Sequence, residues 1–280
     1  MEPRLQRRVQ RYGWDLASTD YESLWQAQLA PAHAATLELA ALAPGQSVLD
    51  VACGTGLVSL AAARAVGPRG QVIGSDLSGR MVEVARQRAH GAGLDHLRFV
   101  RMDAEHLDLP DASVDVVLCA LGLMYLPDPA QALGEMRRVL RPGGHVVLSV
   151  WGERARCGWA PLFPIVDAEV ASEVCPLFFA LGQRDALARL CERAGLVQPE
   201  LRRIETTLDY GSGGEACRAA FVGGPVALAW SRFTEEARAR VRTRYLQSIA
   251  AWRVGCGYRV PGEFVIVRAR GPEALNPSAR

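Results

Sequence analysis

The chain has 280 residues, of which 49% are hydrophobic and 22% charged, a composition that is ordinary for a soluble globular protein and excludes a disordered or fibrous one. Its length allows a substantial core. The formal net charge of +2 is close to balance, so the sequence predicts no nucleic-acid partner and no membrane partner.

Cysteine usage and the first residues predict the compartment. The seven cysteines are odd in number and form no C-x-x-C pair, a pattern typical of reduced thiols and without the spacing of a zinc site. The opening stretch MEPRLQRRVQRYGW is basic but lacks the apolar core of a signal peptide. No uncharged run approaches the roughly 18 residues of a membrane-spanning helix. We therefore predict a cytoplasmic protein without a metal site.

The N-terminal segment, residues 1–43, is predicted to be a helical cap that carries several aromatic side chains. Pro31 is expected to break this helical stretch, because proline lacks the amide hydrogen that a helix interior needs. Pro44 and Gly45 mark the turn into the first strand. The remainder, residues 44–270, is predicted to be a single domain.

The first part of that domain, residues 44–151, alternates short β-rich runs with amphipathic stretches, which predicts a parallel sheet covered by helices. Five strands are expected, SVLDVA (47–52), QVIGSD (71–76), LRFVRMD (97–103), VDVVLCA (114–120) and HVVLSVW (145–151). Helices are expected at about 57–66, 79–90 and 129–140.

The second part, residues 152–270, adds two strands and several insertions. The strands are expected at 201–210 and 263–270, with helices at about 184–194 and within 233–253. The whole domain is thus predicted to be an α/β fold with a seven-stranded, mostly parallel sheet and helices on both faces. The irregular stretches around the C-terminal elements are expected to cover a substrate, and residues 271–280 are expected to be a frayed tail.

A glycine turn follows the first predicted strand, in the run VLDVACGTG. Ligands of open α/β sheets bind at the carboxyl ends of the strands, and Gly54 and Gly56 let the backbone turn sharply there. A dinucleotide fingerprint would need a third glycine where this chain has Ser59. Asp50 would also repel a pyrophosphate, so the ligand is expected to be positively charged on that side.

Two further carboxylates end the next two strands. Asp76 stands twenty residues after Gly56, at the spacing from which an acid accepts hydrogen bonds from ribose hydroxyls. Asp103 and the adjacent Ala104 are expected at the edge of an adenine ring. Ribose, adenine and a cationic end, with no phosphate, favour S-adenosylmethionine over NAD as the cofactor.

Four motifs, in the runs VLDVACGTG, IGSDLSGRMVEVA and FVRMDAEHLDLPDASVDVVLCALGLMYLPDPAQALGEMRRVLRPGG, occur in an order and spacing that resemble the class I S-adenosylmethionine-dependent methyltransferases. The resemblance is to the branch with the quinone-biosynthesis C-methyltransferases and covers about residues 12–151. It implies a Rossmann-like fold. One departure is Ala52, where many members have glycine.

The resemblance implies a set of cofactor-binding residues, which are Tyr21, Asp50, Ala52, Cys53, Gly54, Gly56, Asp76, Leu77, Met81, Asp103, Ala104, Cys119 and Ala120. Several of them have a purely structural explanation as well. Met81 fits a core position, the two cysteines fit as small buried fillers, and Tyr21 fits helix packing as well as a lid over the cofactor.

Methyl transfer from a sulfonium needs alignment in a dry pocket more than it needs a metal or a base. No catalytic residue stands out in the sequence. His106 and Tyr125 are weak candidates for a general base, and a surface loop or packing under Pro127 explains them equally well.

The C-terminal half is rich in apolar and aromatic residues, which favours a small, partly hydrophobic or aromatic acceptor. Which of O, N, C or S receives the methyl group stays open. The alternatives are an NAD-dependent oxidoreductase on the same sheet and a non-catalytic module that only binds the cofactor. A homodimer through the aromatic half is a further open alternative.

Overall fold

The computed structural model of the chain describes residues 2–170, 175 and 177–273. The strands are β1 (Ser47–Val51), β2 (Gln71–Asp76), β3 (Leu97–Arg101), β4 (Val114–Ala120), β5 (Leu140–Trp151), β6 (Val197–Tyr210), β7 (Arg253–Val254) and β8 (Gly257–Arg270). The helices are α1 (Pro3–Ala17), α2 (Tyr21–Ala40), α3 (Leu57–Val66), α4 (Gly79–Gly91), α5 (Pro129–Val139), α6 (Leu162–Val170), α7 (Ala186–Arg193), α8 (Gly213–Phe221), α9 (Ala227–Ser231) and α10 (Glu235–Ser248).

The strands form one mixed sheet in the order β3-β2-β1-β4-β5-β8-β6. Strands β1 to β5 are parallel to one another, whereas β8 is antiparallel to both β5 and β6. This arrangement confirms the predicted α/β fold. The described sheet has one strand more than the predicted seven, because the two-residue β7 pairs with β8 in a tight hairpin.

The central strands have apolar side chains on both faces, as a parallel sheet between two helical layers requires. Leu49, Val117, Leu118 and Val147 are fully buried. Because these strands are adjacent, their carboxyl ends lie along one edge of the sheet. That edge carries the turns that follow β1, β2, β3, β4 and β5.

The N-terminal cap is two helices, and its break is not where the sequence predicts it. Helix α2 continues through Pro31, so the predicted break at this residue is wrong. Its small and apolar side chains, among them Leu29 and Ala32, pack against the core. This packing offsets the cost of an interior proline, which is about 3 kcal/mol in an unsupported helix. The break lies instead at residues 18–20, between α1 and α2.

The C-terminal elements agree with the predicted order, but the strands are longer and the helices shorter than predicted. Strands β6 and β8 begin at Val197 and Gly257, several residues earlier than expected, and pair with each other over most of their length. The insertion between β6 and α10 folds into α8 and α9. Of the predicted frayed tail, residues 274–280 lie outside the described residues. Across the described part of the chain, every helix is too short or too polar to traverse a bilayer.

Candidate active site

A cavity opens at the carboxyl edge of the sheet, between the strand ends and helices α1 and α2. Its empty volume is about 1140 Å³, including the part open to solvent. Nine predicted cofactor residues line it, namely Tyr21, Ala52, Gly54, Asp76, Leu77, Met81, Asp103, Ala104 and Ala120. The other four predicted residues, Asp50, Cys53, Gly56 and Cys119, are not part of the lining. They belong to β1, to the turn after it and to β4, next to lining residues.

The turn after β1 depends on glycine at two positions. Gly54 and Gly56 have φ values of +55° and +82°, in the left-handed region. A Cβ on Gly56 would also come within 2.8 Å of the Phe99 ring. These positions therefore need glycine both for the backbone conformation and for the space.

Ala52 adopts the conformation that glycine usually provides, which accounts for the departure seen in the sequence. Its φ is +55°, a left-handed conformation that costs a non-glycine residue about 1–2 kcal/mol. The Ala52 Cβ points toward Gly122, where an added Cβ would lie only 2.4 Å away. Gly122 thus leaves the room that the Ala52 methyl group occupies, and the two residues are coupled across the ends of β1 and β4.

Asp76 is held by the turn itself. Its carboxylate accepts hydrogen bonds from the Gly54 amide at 2.9 Å and from the Ser78 amide at 2.8 Å. Burial nevertheless raises the pKa of Asp76 to about 6. The Gly54 amide, which a phosphate-binding turn would direct at its ligand, is already engaged by an acid. The site is therefore poorly suited to a pyrophosphate.

Asp50 lies beneath the turn and is almost fully buried. One carboxylate oxygen accepts a hydrogen bond from the Ser59 hydroxyl at 2.5 Å, and the other has no partner among the described residues. Burial, together with the nearby Asp76 carboxylate, raises the pKa of Asp50 to about 7. The pair creates a negative potential under the turn that favours a cationic ligand.

A charged cluster at the turn after β3 was missed by the sequence analysis. Asp103 accepts from the Glu105 amide at 3.0 Å and pairs with the Arg7 guanidinium at 3.3 Å. Arg7 also pairs with the buried Glu105, whose second oxygen accepts from the Asp128 amide. Arg7 lies on α1, about a hundred residues away in sequence, so its role could not be inferred from local spacing.

The part of the cavity beside Asp103 and Ala104 is apolar. Met81 is buried but still contributes to the lining, beside Leu77, Met102 and Ala104. This placement makes Met81 a core residue and leaves its predicted cofactor contact a prediction. Leu77 directly follows Asp76, and Ala104 directly follows Asp103, so the apolar surface adjoins both carboxylates.

Aromatic side chains of the cap cover the turn. The Tyr21 ring is 3.9 Å from an ideal Cβ on Gly54, and Trp14 packs edge-on against it with a centroid distance of 5.8 Å. Burial and the Asp76 charge raise the pKa of Tyr21 far above its usual range, so the phenol is neutral. Tyr21 can therefore present a neutral aromatic face to a cation at the turn.

The opposite side of the cavity is an aromatic wall formed by Trp25, Trp151, Trp159, Phe178 and Tyr125. Trp151 and Trp159 have ring centroids 4.7 Å apart, and Trp25 lies within 6.4 Å of both. Phe178 bridges Trp159 and Tyr125 at 5.5 and 5.4 Å. These residues come from distant segments of the chain. The fold brings them together at the ends of β4 and β5.

Two aromatic residues of the C-terminal half are core residues rather than cavity residues. Phe221 and Trp230 stack at 4.6 Å in a separate cluster that includes Tyr245. The aromatic residues of this half are therefore divided between the cavity lining and the core.

The two candidate bases occupy different places. His106 is exposed and does not line the cavity, whereas Tyr125 does. Burial raises the pKa of Tyr125 far above its usual range, so its phenol is a poor base at neutral pH. Cys119 is also neutral, because burial raises its pKa to about 12. No histidine in the described part of the chain lines the cavity.

Comparison with known proteins identifies the first half of the domain. A family model described as a methyltransferase domain matches residues 49–148. The ubiquinone/menaquinone biosynthesis C-methyltransferase of Hahella chejuensis is 40% identical over 136 residues, which are 48% of this chain and 51% of that protein. The demethylmenaquinone methyltransferase of Staphylococcus aureus is 34% identical over 176 residues, 56% of this chain and 70% of that protein.

The demethylmenaquinone methyltransferase of Listeria welshimeri is 38% identical over 46% of this chain and 54% of that protein. The chain therefore spans about half the length of the first relatives that it matches. The family model ends at residue 148, so residues 152–270 lie outside the region that it matches. Its chemistry has to be argued from its own residues.

Solved structures resemble the whole fold. A methyltransferase-like protein of Bacillus halodurans aligns with a TM-score of 0.63 and 24% identity, over 86% of this chain and 98% of that one. The [4+2]-cyclase SpnF aligns with a TM-score of 0.57 and 22% identity, over 86% of this chain and 81% of that one. At these identities the likeness establishes the fold alone, and one fold can carry different reactions.

Proposed function

The chain belongs to the class I S-adenosylmethionine-dependent methyltransferases, and from that premise we propose that it transfers a methyl group from S-adenosylmethionine to a small, partly hydrophobic or aromatic acceptor. The observation that carries the proposal is the hydrogen bond from the Gly54 amide to Asp76. A dinucleotide-binding protein uses such a backbone amide to bind a phosphate, whereas in this chain the amide already donates to a carboxylate. This feature favours a cofactor without phosphate over NAD.

The cavity residues fit the adenosine part of the cofactor. Asp76 has lone pairs left to accept from ribose hydroxyls, and Asp103 stands beside Ala104 where an adenine amino group can donate. The apolar Leu77 and Met81 supply surfaces for the ring. The cationic methionine end fits the turn above Asp50, where the field of two carboxylates is negative.

The acceptor is proposed to be a planar aromatic molecule of the quinone or phenol type. The aromatic wall offers ring faces and edges on several sides, which suits a flat apolar molecule better than a polar chain. By their names, the relatives act in ubiquinone and menaquinone biosynthesis or on demethylmenaquinone. Both observations support the same acceptor class.

When bound, S-adenosylmethionine supplies an activated methyl group. The protein's residues align and enclose the reacting atoms. Ala120 and Gly122 at the end of β4 leave room beside the sulfonium position, and the aromatic wall excludes water from it. Tyr125 and Cys119 are neutral at neutral pH. The carboxylates that line the cavity, Asp76, Asp103 and Glu105, are engaged by backbone amides or by Arg7. We therefore propose an acceptor that reaches its nucleophilic form with little help, such as a phenolate or an electron-rich ring carbon.

The roles of the segments follow the boundaries predicted from the sequence. We propose that residues 1–43 cover the cofactor, that 44–151 bind it, and that 152–270 form the acceptor side. A cytoplasmic location stays part of the proposal, supported by seven free cysteines. A homodimer remains a prediction.

The proposed function is tested by incubating the purified full chain with S-adenosylmethionine and a panel of quinols, phenols and amines. We expect one of the aromatic acceptors to gain the mass of one methylene while S-adenosylhomocysteine accumulates in equal amount. Conversion of an acceptor without that mass gain, as a cyclase or oxidoreductase would cause, contradicts the proposal.

A further inference from the structure

Helix α1 buries polar side chains and exposes large apolar ones, whereas an ordinary surface helix does the reverse. It buries Gln6 and Gln10 and exposes Leu5, Tyr12 and Leu16, which are 41%, 44% and 49% exposed. Residues at spacings of seven and four fall on one face of a helix. The three large apolar side chains therefore form one outward stripe.

The inward glutamines have a function in the fold. Gln10 accepts from the Trp14 indole nitrogen at 3.2 Å and donates to the Cys175 sulfur at 3.5 Å, and Gln6 donates to the Tyr125 carbonyl at 3.4 Å. These bonds keep the polar side of α1 against the cavity. The apolar side is left without a partner in the described part of the chain.

The charge beside this stripe is positive. Arg4 and Arg8 are exposed, and the Arg11 guanidinium lies 4.4 Å from the centre of the Tyr12 ring. None of these three arginines has a carboxylate partner within residues 2–170, 175 and 177–273. Their positive charge is therefore not neutralised by an ion pair within the described chain, and it is available to a negatively charged partner.

The two acids of this segment, Glu2 and Asp15, are engaged by hydrogen bonds rather than by ion pairs with the three arginines. Glu2 caps the helix, accepting from the amides of Arg4 and Leu5. Asp15 accepts from the Ser78 hydroxyl at 2.6 Å at the start of α4. The outward surface of α1 thus combines an apolar stripe with unpaired positive charge.

We propose that this surface, formed by Leu5, Tyr12 and Leu16 with Arg4 and Arg8, docks α1 flat on an anionic lipid membrane. Helices with leucine and an aromatic ring on one side and arginine beside it lie in the interface of a bilayer. Negatively charged lipids supply the potential that the arginines lack. A two-fold contact with a second copy would instead bring arginines together without acids to pair them.

This proposal reverses the prediction, made from the sequence, that the chain has no membrane partner. That prediction used the net charge of the whole chain, which is +2. The fold concentrates positive charge and apolar surface on one helix, which an average over the chain does not reveal.

Docking would also bring the cavity close to the bilayer. Helix α1 supplies both the outward stripe and the cavity residues Arg7, Gln10 and Trp14. An acceptor of low water solubility could then reach the aromatic wall from the membrane surface. This consequence rests on the proposed function, whereas the docking itself does not.

The test is sedimentation of the full chain with vesicles of mixed phosphatidylcholine and phosphatidylglycerol, and with vesicles of phosphatidylcholine alone. We expect association with the anionic vesicles only, weakened by added salt. The double variant Leu5→Gln/Leu16→Gln is expected to bind at least roughly tenfold more weakly, and Arg4→Gln/Arg8→Gln about thirtyfold more weakly.

The matched controls remove the same kinds of side chain elsewhere. Val254→Gln changes another exposed apolar residue, and Arg64→Gln/Arg69→Gln changes two exposed arginines outside α1. These variants are expected to bind vesicles like the unchanged protein. Circular dichroism and unaltered S-adenosylhomocysteine affinity identify folded α1 variants, so failure of docking is separable from failure of the proposed function.

Two results would overturn the docking proposal. One is a full chain that stays in the supernatant with every vesicle. The other is a dimer, detected by light scattering, that Leu5→Gln/Leu16→Gln dissociates while vesicle binding is absent, which would assign the surface to a second copy of the chain.

Discussion

The two halves of the domain are organised by different kinds of contact. In residues 44–151, the site is set by short hydrogen bonds near the strand ends, such as those from Gly54 and Ser78 to Asp76. The aromatic wall is instead set by packing across distant segments, such as Trp25 against Trp159. The glycine turn is fixed by local backbone geometry, and the aromatic wall by the way the chain folds back on itself.

The difference also explains where the similarity to relatives lies. The family model matches residues 49–148 and stops before most of the aromatic wall. A local turn with its acids can be kept in many proteins that share one cofactor, whereas the wall can vary with the acceptor. Variants in each half should therefore affect different ligands.

The largest effect is expected from Asp76→Ala. This change removes the acceptor of two backbone hydrogen bonds and the proposed ribose contact, so the dissociation constant for S-adenosylhomocysteine should rise roughly hundredfold. Calorimetric titration measures it. Asp95→Ala, an exposed aspartate of the same half, is the control, and an unchanged affinity in Asp76→Ala would remove this residue from the cofactor site.

Trp159→Phe should separate the two halves. It reduces a wall residue in contact with several other rings, so kcat/KM for the acceptor should fall about thirtyfold while cofactor affinity stays the same. Trp230→Phe, in the cluster outside the cavity, is the control and should leave kcat/KM unchanged. Equal losses of cofactor and acceptor binding in Trp159→Phe would mean that the halves are not independent.

The pH dependence of cofactor binding tests the field under the turn. Burial raises the pKa of Asp50 to about 7 and that of Asp76 to about 6. Both are protonated at low pH, so affinity for the cationic cofactor should increase roughly tenfold between about pH 6 and pH 8 as they ionise. Titrations in buffers of different ionisation enthalpy should register proton release.

The same pKa values fix the sign of a stability effect. Because the folded protein holds the protons of Asp50 and Asp76 more tightly than the unfolded chain does, the free energy of unfolding without ligand should fall as pH rises from about 4 to about 7. Asp50→Asn should flatten both profiles. A pH-independent affinity in the unchanged protein would contradict the assigned electrostatics.

The smallest effect is expected from Tyr125→Phe. The phenol has a strongly raised pKa, so its loss should change kcat less than roughly threefold. The pH profile of kcat measures this directly. A fall of two orders of magnitude would make Tyr125 a catalytic acid or base.

Much of the cofactor side could be predicted from the sequence, because its signals are local. The strand pattern and the glycine turn predicted the sheet and the positions of Asp76 and Asp103 at one edge. The helix through Pro31 was not predictable in this way, because the packing of α2 against the sheet overrides the local cost of proline.

The contributions of α1 could not be predicted for a related reason. Arg7 reaches Asp103 and Glu105 only after the chain has folded, and no spacing rule joins residues so far apart. The inward position of Gln6 and Gln10 was not predictable either, because polar residues ordinarily face solvent. The aromatic content of residues 152–270 was visible in the sequence, but only the fold separates Trp159 in the wall from Trp230 in the core.

The most direct test of the central claim is calorimetric titration of the full chain with S-adenosylmethionine, S-adenosylhomocysteine and NAD in parallel. Because Asp50 and Asp76 lie at the Gly54 turn, we expect both adenosyl ligands to bind with one site per chain. Titration with NAD is expected to give no measurable heat. Tight binding of NAD with no heat from either adenosyl ligand would contradict the proposed function and the role assigned to Asp50 and Asp76.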